Sequence, residues 1–289
     1  MKLIYLAGNW HSGSTLLDIY LGNGPDCFSM GELIQISRDG IEKEYCSCHE
    51  KIEDCEFWSD VFEEWNSQRS LEDSRFKVIH EKYKLSVRNN VWVIFYHLFP
   101  TSEVKTFWED CQKLYQIIYI KSESEFLVES SKNPLRLMLL KRVFDNENLF
   151  VLYLKRNFVG VLESYRKKYE KDLSKGIEKD IQPKKVSKTA FKHLSISYMT
   201  YFLKCGLSMV RLRYEEFVGK RGDSEPLTEL SEELDIELTS KEKLKPGHLL
   251  AGNRLRLKKE LKIEKMRSKH SELGQAQISF AKLIEFFSV

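Results

Sequence analysis

The sequence has no apolar run long enough to cross a bilayer, and it has little net charge. A membrane-spanning helix needs roughly 18 consecutive apolar residues, and none of the 289 residues lies in such a run. The 46 basic and 43 acidic residues leave a formal charge of +3, which gives no reason to expect nucleic acid as the main partner. We therefore expect neither a membrane nor a nucleic-acid partner, and any bound anion must be held by local groups.

Cysteine is also scarce, and no internal repeat or low-complexity tract is visible. The chain has six cysteines, and its N-terminus leads directly into a strand pattern rather than a signal peptide. This favours reduced thiols and a cytoplasmic protein. Cys46, Cys48, His49 and Cys55 are four potential zinc ligands. Their spacing differs from paired Cys-x-x-Cys knuckles, so we expect a reduced, partly buried turn without metal, with structural zinc as the alternative.

Short apolar runs alternate with helical patterns along the chain. The runs that predict buried strands cover 2–7, 125–128, 148–154 and 208–214. Strands that alternate with helices form a mostly parallel sheet covered on both faces. We therefore expect an α/β fold of the P-loop type, with residues 1–289 in a single domain.

The segment from about 42 to 124 interrupts this alternation. It contains "NNVWVIFYHLF" and "KTFWEDCQKLYQIIYI", whose spacing indicates amphipathic helices. Their aromatic residues are Trp92, Phe95, Tyr96, Phe99, Trp108, Tyr115 and Tyr119. We interpret the segment as a helical insertion that forms the acceptor side of a ligand site, although each aromatic on its own could be ordinary core. Residues 169–185 read as a solvated linker.

The stretch "GNWHSGSTLL", residues 8–17, follows the first strand and has the outline of a phosphate-binding loop. Nucleoside triphosphatases carry a lysine where this loop has Ser14. Backbone N–H groups and the helix dipole still favour an anion here, and Ser12, Ser14 and Thr15 add hydroxyl donors. The loop suits one phosphate; the alternative is an ordinary strand-to-helix turn.

Three later stretches add cations and hydroxyl groups at strand ends. In "LKRNFVGVLES", Arg156 ends a strand and Ser164 follows eight residues later, and "ESSK" ends another strand at Lys132. Ligands of open α/β sheets lie outside the carboxyl ends of the strands. "HLLAGNRLRLKK" adds a basic loop suited to a second phosphate, with Gly252, Asn253, Arg254 and Arg256.

In this order the motifs resemble the sulfotransferase superfamily, whose members use 3'-phosphoadenosine 5'-phosphosulfate (PAPS). "GNWHSGSTLL" is similar to the family's 5'-phosphosulfate loop and "LKRNFVGVLES" to its 3'-phosphate motif. "VRLRYEEFV" resembles a strand that ends Tyr-Glu-Asp-Leu in the family, and "GNRLR" resembles its closing loop. "YCSCHEKIEDCEFW" resembles a segment of a microbial branch.

The resemblance implies roles for individual residues. Ser12, Gly13, Ser14 and Thr15, with Trp10 and His11 in the same loop, would hold the 5' phosphate. Arg156, Ser164 and Arg256 would hold the 3' phosphate, Tyr214 would lie near the adenine, and Gly252, Asn253 and Arg254 would cover the nucleotide. Lys132 matches a lysine near the transferred group, and Glu32 matches an acceptor base.

His11 departs from the family, which usually has lysine or arginine at this position. We hypothesise that His11, as a neutral donor or an imidazolium, shares stabilisation of the leaving group with Lys132. The alternatives are a packed loop histidine, a solvated strand-end lysine at 132 and a solvated first-turn carboxylate at Glu32. Asp18 is a weaker candidate for contact with the acceptor.

Together these expectations describe a sulfotransferase that moves a sulfuryl group from PAPS to a hydroxyl or nitrogen of a small-molecule acceptor, leaving PAP. By analogy with phosphoryl transfer, the step needs a cation at the departing oxygen and a base at the acceptor, and we expect no metal requirement. The rival functions are a P-loop kinase, which would need a loop lysine and Mg²⁺, and a non-catalytic PAP-binding relative. The sequence does not indicate an oligomeric state.

Overall fold

A five-stranded parallel sheet forms the centre of the protein. The computed structural model describes residues 1–167, 170, 182–264 and 273–288. The strands are β1 (Lys2–Gly8), β2 (Cys27–Gly31), β3 (Phe126–Glu129), β4 (Leu149–Lys155) and β5 (Met209–Arg213). All pairs are parallel, in the order β2-β3-β1-β4-β5, which confirms the α/β prediction. Most of the predicted linker at 169–185 lies outside the described residues.

Helices follow or interrupt the strands along the chain. They are α1 (Ser14–Leu21), α2 (Glu56–Gln68), α3 (Asp73–Lys82), α4 (Val87–Leu98), α5 (Ser102–Ser122), α6 (Pro134–Val143), α7 (Phe158–Arg166), α8 (Val186–Leu203), α9 (Tyr214–Gly219), α10 (Glu225–Leu234) and α11 (Gln275–Phe287). Among the described residues, no helix combines the length and the apolar character needed to cross a bilayer.

Alternation along the strands places apolar side chains on both faces of the sheet. In β1, Leu3 and Tyr5 pack into a core shared with α2, α3, α5 and α6. Their neighbours Ile4 and Leu6 pack into a second core with α1, α9 and α10. Successive side chains of a strand point to opposite faces, so a continuously apolar strand must be buried on both sides.

Strand β2 is the described strand that the sequence prediction missed. Its five residues, "CFSMG", are too few and too mixed in polarity to show a strand period. Among the described strands, β2 lies at the edge of the sheet and pairs only with β3, and the Ser29 hydroxyl oxygen in it lies 2.8 Å from the carbonyl oxygen of Asp18. Tertiary contacts rather than local pattern hold this segment as a strand.

The predicted helical insertion is confirmed as helices α2 to α5 between β2 and β3. The two helices expected from their spacing are α4 and α5. Of the aromatics singled out there, Tyr115 is fully buried in the core, whereas Trp92, Phe95 and Phe99 are exposed. The ordinary-core interpretation therefore holds for Tyr115 and is wrong for the three exposed aromatics in and directly after α4.

Candidate functional site

The turn between β1 and α1 depends on two glycines. Gly8 has φ of 140°, and a Cβ there would lie 2.4 Å from the carbonyl oxygen of Leu154. Gly13 has φ of 97°, and its Cβ would lie 2.3 Å from the ring of Tyr214. Ser14 and Thr15 then open α1, where the backbone N–H groups of a first turn have no intrahelical acceptor. The loop therefore presents backbone donors at a helix N-terminus, as an anion site requires.

A cavity of about 650 Å³ opens beside this loop. It gathers the predicted site residues Trp10, His11, Gly13, Ser14, Thr15, Glu32, Lys132, Arg156, Ser164, Tyr214, Gly252, Asn253 and Arg254. Two predicted residues, Ser12 and Arg256, are buried and are not among the described residues that line the cavity. Ser12 instead donates its backbone N–H to the carbonyl of Asn9 at 3.3 Å.

The cavity wall is strongly basic. Three predicted cations, Lys132, Arg156 and Arg254, are joined by three lysines that the sequence analysis missed. These are Lys167, Lys184 and Lys192. Among the described lining residues, Glu32 is the only acidic one. A cavity with this charge pattern attracts a polyanion. For Lys184 and Lys192, the signal in the sequence was the lysine-rich run "QPKKVSKTAFK" before and within α8.

Lys132 and Glu32 form an ion pair at the wall of the cavity. The Lys132 Nζ lies 2.5 Å from Glu32 Oε1 and donates a second hydrogen bond, of 2.7 Å, to the carbonyl of Ser130. Lys132 has φ of 55°, a left-handed conformation that non-glycine residues rarely adopt and that is often found at functional sites. The two predicted catalytic groups are therefore adjacent, and each neutralises the other before a ligand binds.

His11 is held in place by its neighbours. Its Nδ1 lies 2.8 Å from the Ser164 hydroxyl, and its carbonyl accepts a 2.8 Å hydrogen bond from Arg156. Burial, followed by the positive charges of Lys184, Lys132, Arg156 and Lys192, lowers the pKa of His11 to about 4. The imidazole is therefore neutral at neutral pH in the absence of ligand. Of the two forms we considered, the structure favours the neutral donor for the unliganded protein.

Loop 252–254 contacts the phosphate-binding loop directly. The backbone N–H of Asn253 donates to the Thr15 hydroxyl at 3.3 Å, and a Cβ on Gly252, which has φ of 136°, would lie 3.5 Å from the same oxygen. The Arg156 guanidinium lies 4.6 Å from the centroid of the Tyr214 ring, a cation–π contact. These contacts join segments that lie far apart in the sequence.

Asp18, which was predicted as a weaker candidate for contact with the acceptor, is instead buried within the fold. Its carboxylate is fully buried and accepts hydrogen bonds from the hydroxyl groups of Ser130, at 2.5 Å, and Ser29. Burial raises the pKa of Asp18 to about 7. The residue ties α1 to the ends of β2 and β3 and does not reach the cavity.

The helical insertion does not contribute to the cavity wall. None of the described residues between 42 and 124 lines it. Instead, the buried Trp58 and Trp65 of α2 and Phe107 of α5 pack into the core on one face of the sheet. An acceptor site formed by the insertion therefore stays a prediction.

Comparisons with known proteins find similarity at the level of structure. No family model matches the sequence, and no curated protein matches it significantly. A sulfotransferase domain from the curacin biosynthetic pathway aligns with a TM-score of 0.51 at 14% identity, over 98% of this chain and 97% of that one. The sulfotransferase domain of the Synechococcus PCC 7002 olefin synthase aligns at 15% identity with a TM-score of 0.45, over 98% and 94% of the two chains. Sulfotransferase STF9 from Mycobacterium avium aligns at 10% identity with a TM-score of 0.46, over 83% and 65%. Because the curacin-pathway match extends over nearly the whole of both chains, the protein shares the fold of that sulfotransferase domain.

Proposed function

We propose that the protein transfers a sulfuryl group from PAPS to a hydroxyl or nitrogen of a small-molecule acceptor. The observation that supports this most strongly is the convergence of four distant segments on one basic cavity. The loop between β1 and α1, Lys132 after β3, Arg156 and Ser164 before and within α7, and loop 252–254 all contribute to its wall. A nucleotide with phosphates at both the 3' and 5' positions needs anion sites that are separated in this way.

The cavity fits the proposed donor in volume and in charge. Its 650 Å³ lies within the range of about 300–1,000 Å³ that is usual for small-ligand sites, and six cations face it. The backbone and hydroxyl donors of Ser14 and Thr15 would hold the 5' phosphate. Arg156 and Ser164 would hold the 3' phosphate, and loop 252–254 would cover the nucleotide. Because a nucleotide shares this volume, a small acceptor fits better than a polymer.

The reaction would use the ion pair at the cavity wall. PAPS supplies an activated sulfuryl group. The bond from the acceptor oxygen or nitrogen to sulfur forms as the bond from sulfur to the bridging oxygen breaks. Glu32 takes the proton of the acceptor, and Lys132 with the N–H of His11 stabilises the negative charge that develops on the departing phosphate. Lys132 must turn from Glu32 toward this oxygen, which frees the carboxylate to act as the base.

Binding and transfer assays test this proposal in sequence. Calorimetry with PAP in the presence of EDTA should show binding, because the cations that we assign to the phosphates belong to the protein. Arg156→Ala should abolish that binding. Arg142→Ala is the matched control, since Arg142 contacts His97 on another part of the surface. Transfer of ³⁵S from labelled PAPS to a panel of phenols, alcohols and amines should then be detectable.

Each alternative function gives a different result in these assays. Binding of ATP that requires Mg²⁺, with no binding of PAP, would identify a kinase. Tight binding of PAP without transfer to any member of the panel would support the non-catalytic relative.

A further inference from the structure

Three cysteines and a histidine from distant parts of the chain meet outside the basic cavity. The Sγ atoms of Cys46, Cys48 and Cys55 and a ring nitrogen of His248 all lie within 4.8 Å of one another. His49, which the sequence analysis counted as the fourth potential ligand, is instead exposed in the turn with φ of 76°. The cluster therefore has the composition of a Cys₃His zinc site, with a histidine that lies almost 200 positions further along the chain.

Two of the separations between these atoms are close to those of a tetrahedral metal site. Cys48 Sγ lies 3.6 Å from Cys55 Sγ, and Cys55 Sγ lies 3.3 Å from His248 Nδ1. In a tetrahedron with Zn–S of about 2.3 Å and Zn–N of about 2.0–2.1 Å, the corresponding separations are about 3.8 and 3.6 Å. These two separations are within a few tenths of an ångström of those in a zinc complex, and the remaining pairs lie within 4.8 Å.

Backbone donors surround the sulfur atoms as they do around metal-bound thiolates. The N–H of Cys48 donates to the sulfur of Cys46, the N–H of Glu50 to that of Cys48, and the N–H of Trp58 to that of Cys55. Cys55 is also the N-cap residue of α2, where the helix dipole favours a thiolate. Such hydrogen bonds orient the ligands and offset their negative charge.

We propose that Cys46, Cys48, Cys55 and His248 bind one structural Zn²⁺ ion. The three thiols release their protons on binding, and three thiolates with a neutral imidazole leave the complex with a charge of −1. Sulfur ligands select zinc over magnesium or calcium. Four protein ligands fill the tetrahedron, so no position is open for a substrate, and the ion has a structural role.

The ion would fix the segment that leads into loop 252–254. Ser47, which lies between Cys46 and Cys48, makes three hydrogen bonds to this segment. Its N–H donates to the carbonyl of Leu249 at 3.3 Å, and its hydroxyl donates to the carbonyl of Gly247 at 2.7 Å. The hydroxyl oxygen also accepts a 2.6 Å hydrogen bond from the N–H of Leu249. Two residues further, the carbonyl of Ala251 accepts the N–H of Glu32. Loss of zinc should therefore loosen loop 252–254 and weaken donor binding. This consequence rests on the proposed function, whereas the metal site does not.

Metal content tests the proposal directly. Protein purified under reducing conditions should contain one zinc per chain by mass spectrometry. A mercurial that reacts with thiols should release it, as measured with a chromogenic chelator. Replacement by Co²⁺ should give thiolate-to-cobalt charge-transfer bands and the d–d bands of a tetrahedral ion. The mercurial and cobalt measurements use the wild-type chain, so they do not depend on whether a variant folds.

Matched variants identify the ligands. His248→Asn and Cys48→Ser should lower the zinc content and the melting temperature. His49→Asn, in the same turn, and Cys205→Ser, at an exposed free cysteine, should retain one zinc. The proposal is overturned if zinc-supplemented protein carries far less than one equivalent and gives no tetrahedral cobalt spectrum. It is also overturned if Cys48 and Cys55 are isolated as a disulfide under the same conditions, or if His49→Asn loses the metal while His248→Asn keeps it. A failure to bind PAP would leave each of these results unchanged.

Discussion

The ammonium of Lys132 lies 2.5 Å from the carboxylate of Glu32, although the two residues are 100 positions apart. Strands β2 and β3 pair in parallel with Gly31 beside Glu129, so the residues that follow the two strands emerge together at the edge of the sheet. Only 4% of the Lys132 side chain and 15% of the Glu32 side chain are exposed. The proposed base and the proposed leaving-group cation are thus one unit, and release of one frees the other.

Replacement of the base should separate catalysis from binding. Glu32→Gln keeps the shape of the side chain but cannot accept the acceptor proton, so turnover should fall by about 10²- to 10⁴-fold while the Kd for PAP changes little. Steady-state kinetics and calorimetry measure the two effects. Glu125→Gln, which breaks an exposed ion pair with Lys2, should leave both unchanged. Equal losses in turnover and PAP affinity would assign Glu32 to donor binding.

His11 should contribute to the chemical step more than to donor binding. At saturating PAPS, His11→Ala should lower turnover by roughly 10²-fold, the usual effect of removing one donor to a developing anion. Near-normal turnover in this variant would exclude the role.

His11 should also take up a proton when PAP binds below neutral pH. The pKa of the unliganded histidine is lowered to about 4 by burial and by cations, so the ring is neutral at pH 5.5. Bound phosphates offset those cations and raise the pKa, so proton uptake is expected between pH 4 and 6.5. Calorimetry in two buffers of different ionisation enthalpy measures this uptake. In His11→Asn, the proton uptake that we assign to His11 should be absent. If the wild-type protein and His11→Asn take up the same number of protons on binding PAP, the assignment is wrong.

Gly13 should tolerate no side chain. Gly13→Ala would add a left-handed alanine, costing about 1–2 kcal/mol, and a clash with the Tyr214 ring at 2.3 Å. Gly40→Ala is the matched control, because Gly40 has φ of 74° but nothing lies within 4 Å of its Cβ position. Thermal unfolding and PAP binding should both show a larger loss for Gly13→Ala. Similar losses in the two variants would mean that the loop adapts to the added methyl group.

Lys192 should strengthen binding of the anionic donor. Burial and the charge of Lys184 lower its pKa to about 8, and its Nζ lies over the Trp10 ring at the cavity wall. A charged hydrogen bond contributes about 1.5–3 kcal/mol, so Lys192→Ala should weaken PAP binding by at least roughly tenfold at low salt. Lys188→Ala, on an exposed turn of the same helix, should have a much smaller effect. Equal effects would indicate a diffuse charge contribution only.

A buried network beneath the site should dominate stability. Arg136 donates to Glu129 at 3.0 Å and to the Tyr115 hydroxyl at 3.0 Å, and a 2.9 Å hydrogen bond joins it to His80. Glu129→Gln leaves the guanidinium without its buried counter-charge, so the free energy of unfolding should fall by about 3–5 kcal/mol.

Urea denaturation measures this loss. Glu103→Gln, which breaks the exposed pair with Arg75, should cost less than about 1 kcal/mol. A small effect of Glu129→Gln would show that the network relaxes around the amide.

The sequence predicted the parts of the molecule that local chemistry encodes. Apolar runs long enough to fill both faces of a sheet identified four of the five strands in the described part of the chain. Gly8 and Gly13 marked the turn at the start of α1. Strand β2 was not predicted, because its five residues show no regular alternation of apolar and polar side chains. It is a strand because it pairs with β3.

In the candidate site, too, some features follow from the local sequence and others depend on the tertiary structure. Residue types, together with the order of the motifs, predicted most of the side chains that line the cavity, because those side chains follow strand ends or lie in loops with a local sequence signature. Tertiary structure alone decided the contacts between distant segments. It pairs Lys132 with Glu32 and places Ser164 beside His11. It also brings Lys184 and Lys192 to the cavity wall, and it places His248 rather than His49 beside the cysteines. These contacts depend on strand order and on the path of the returning chain, and spacing along a sequence carries no information about either.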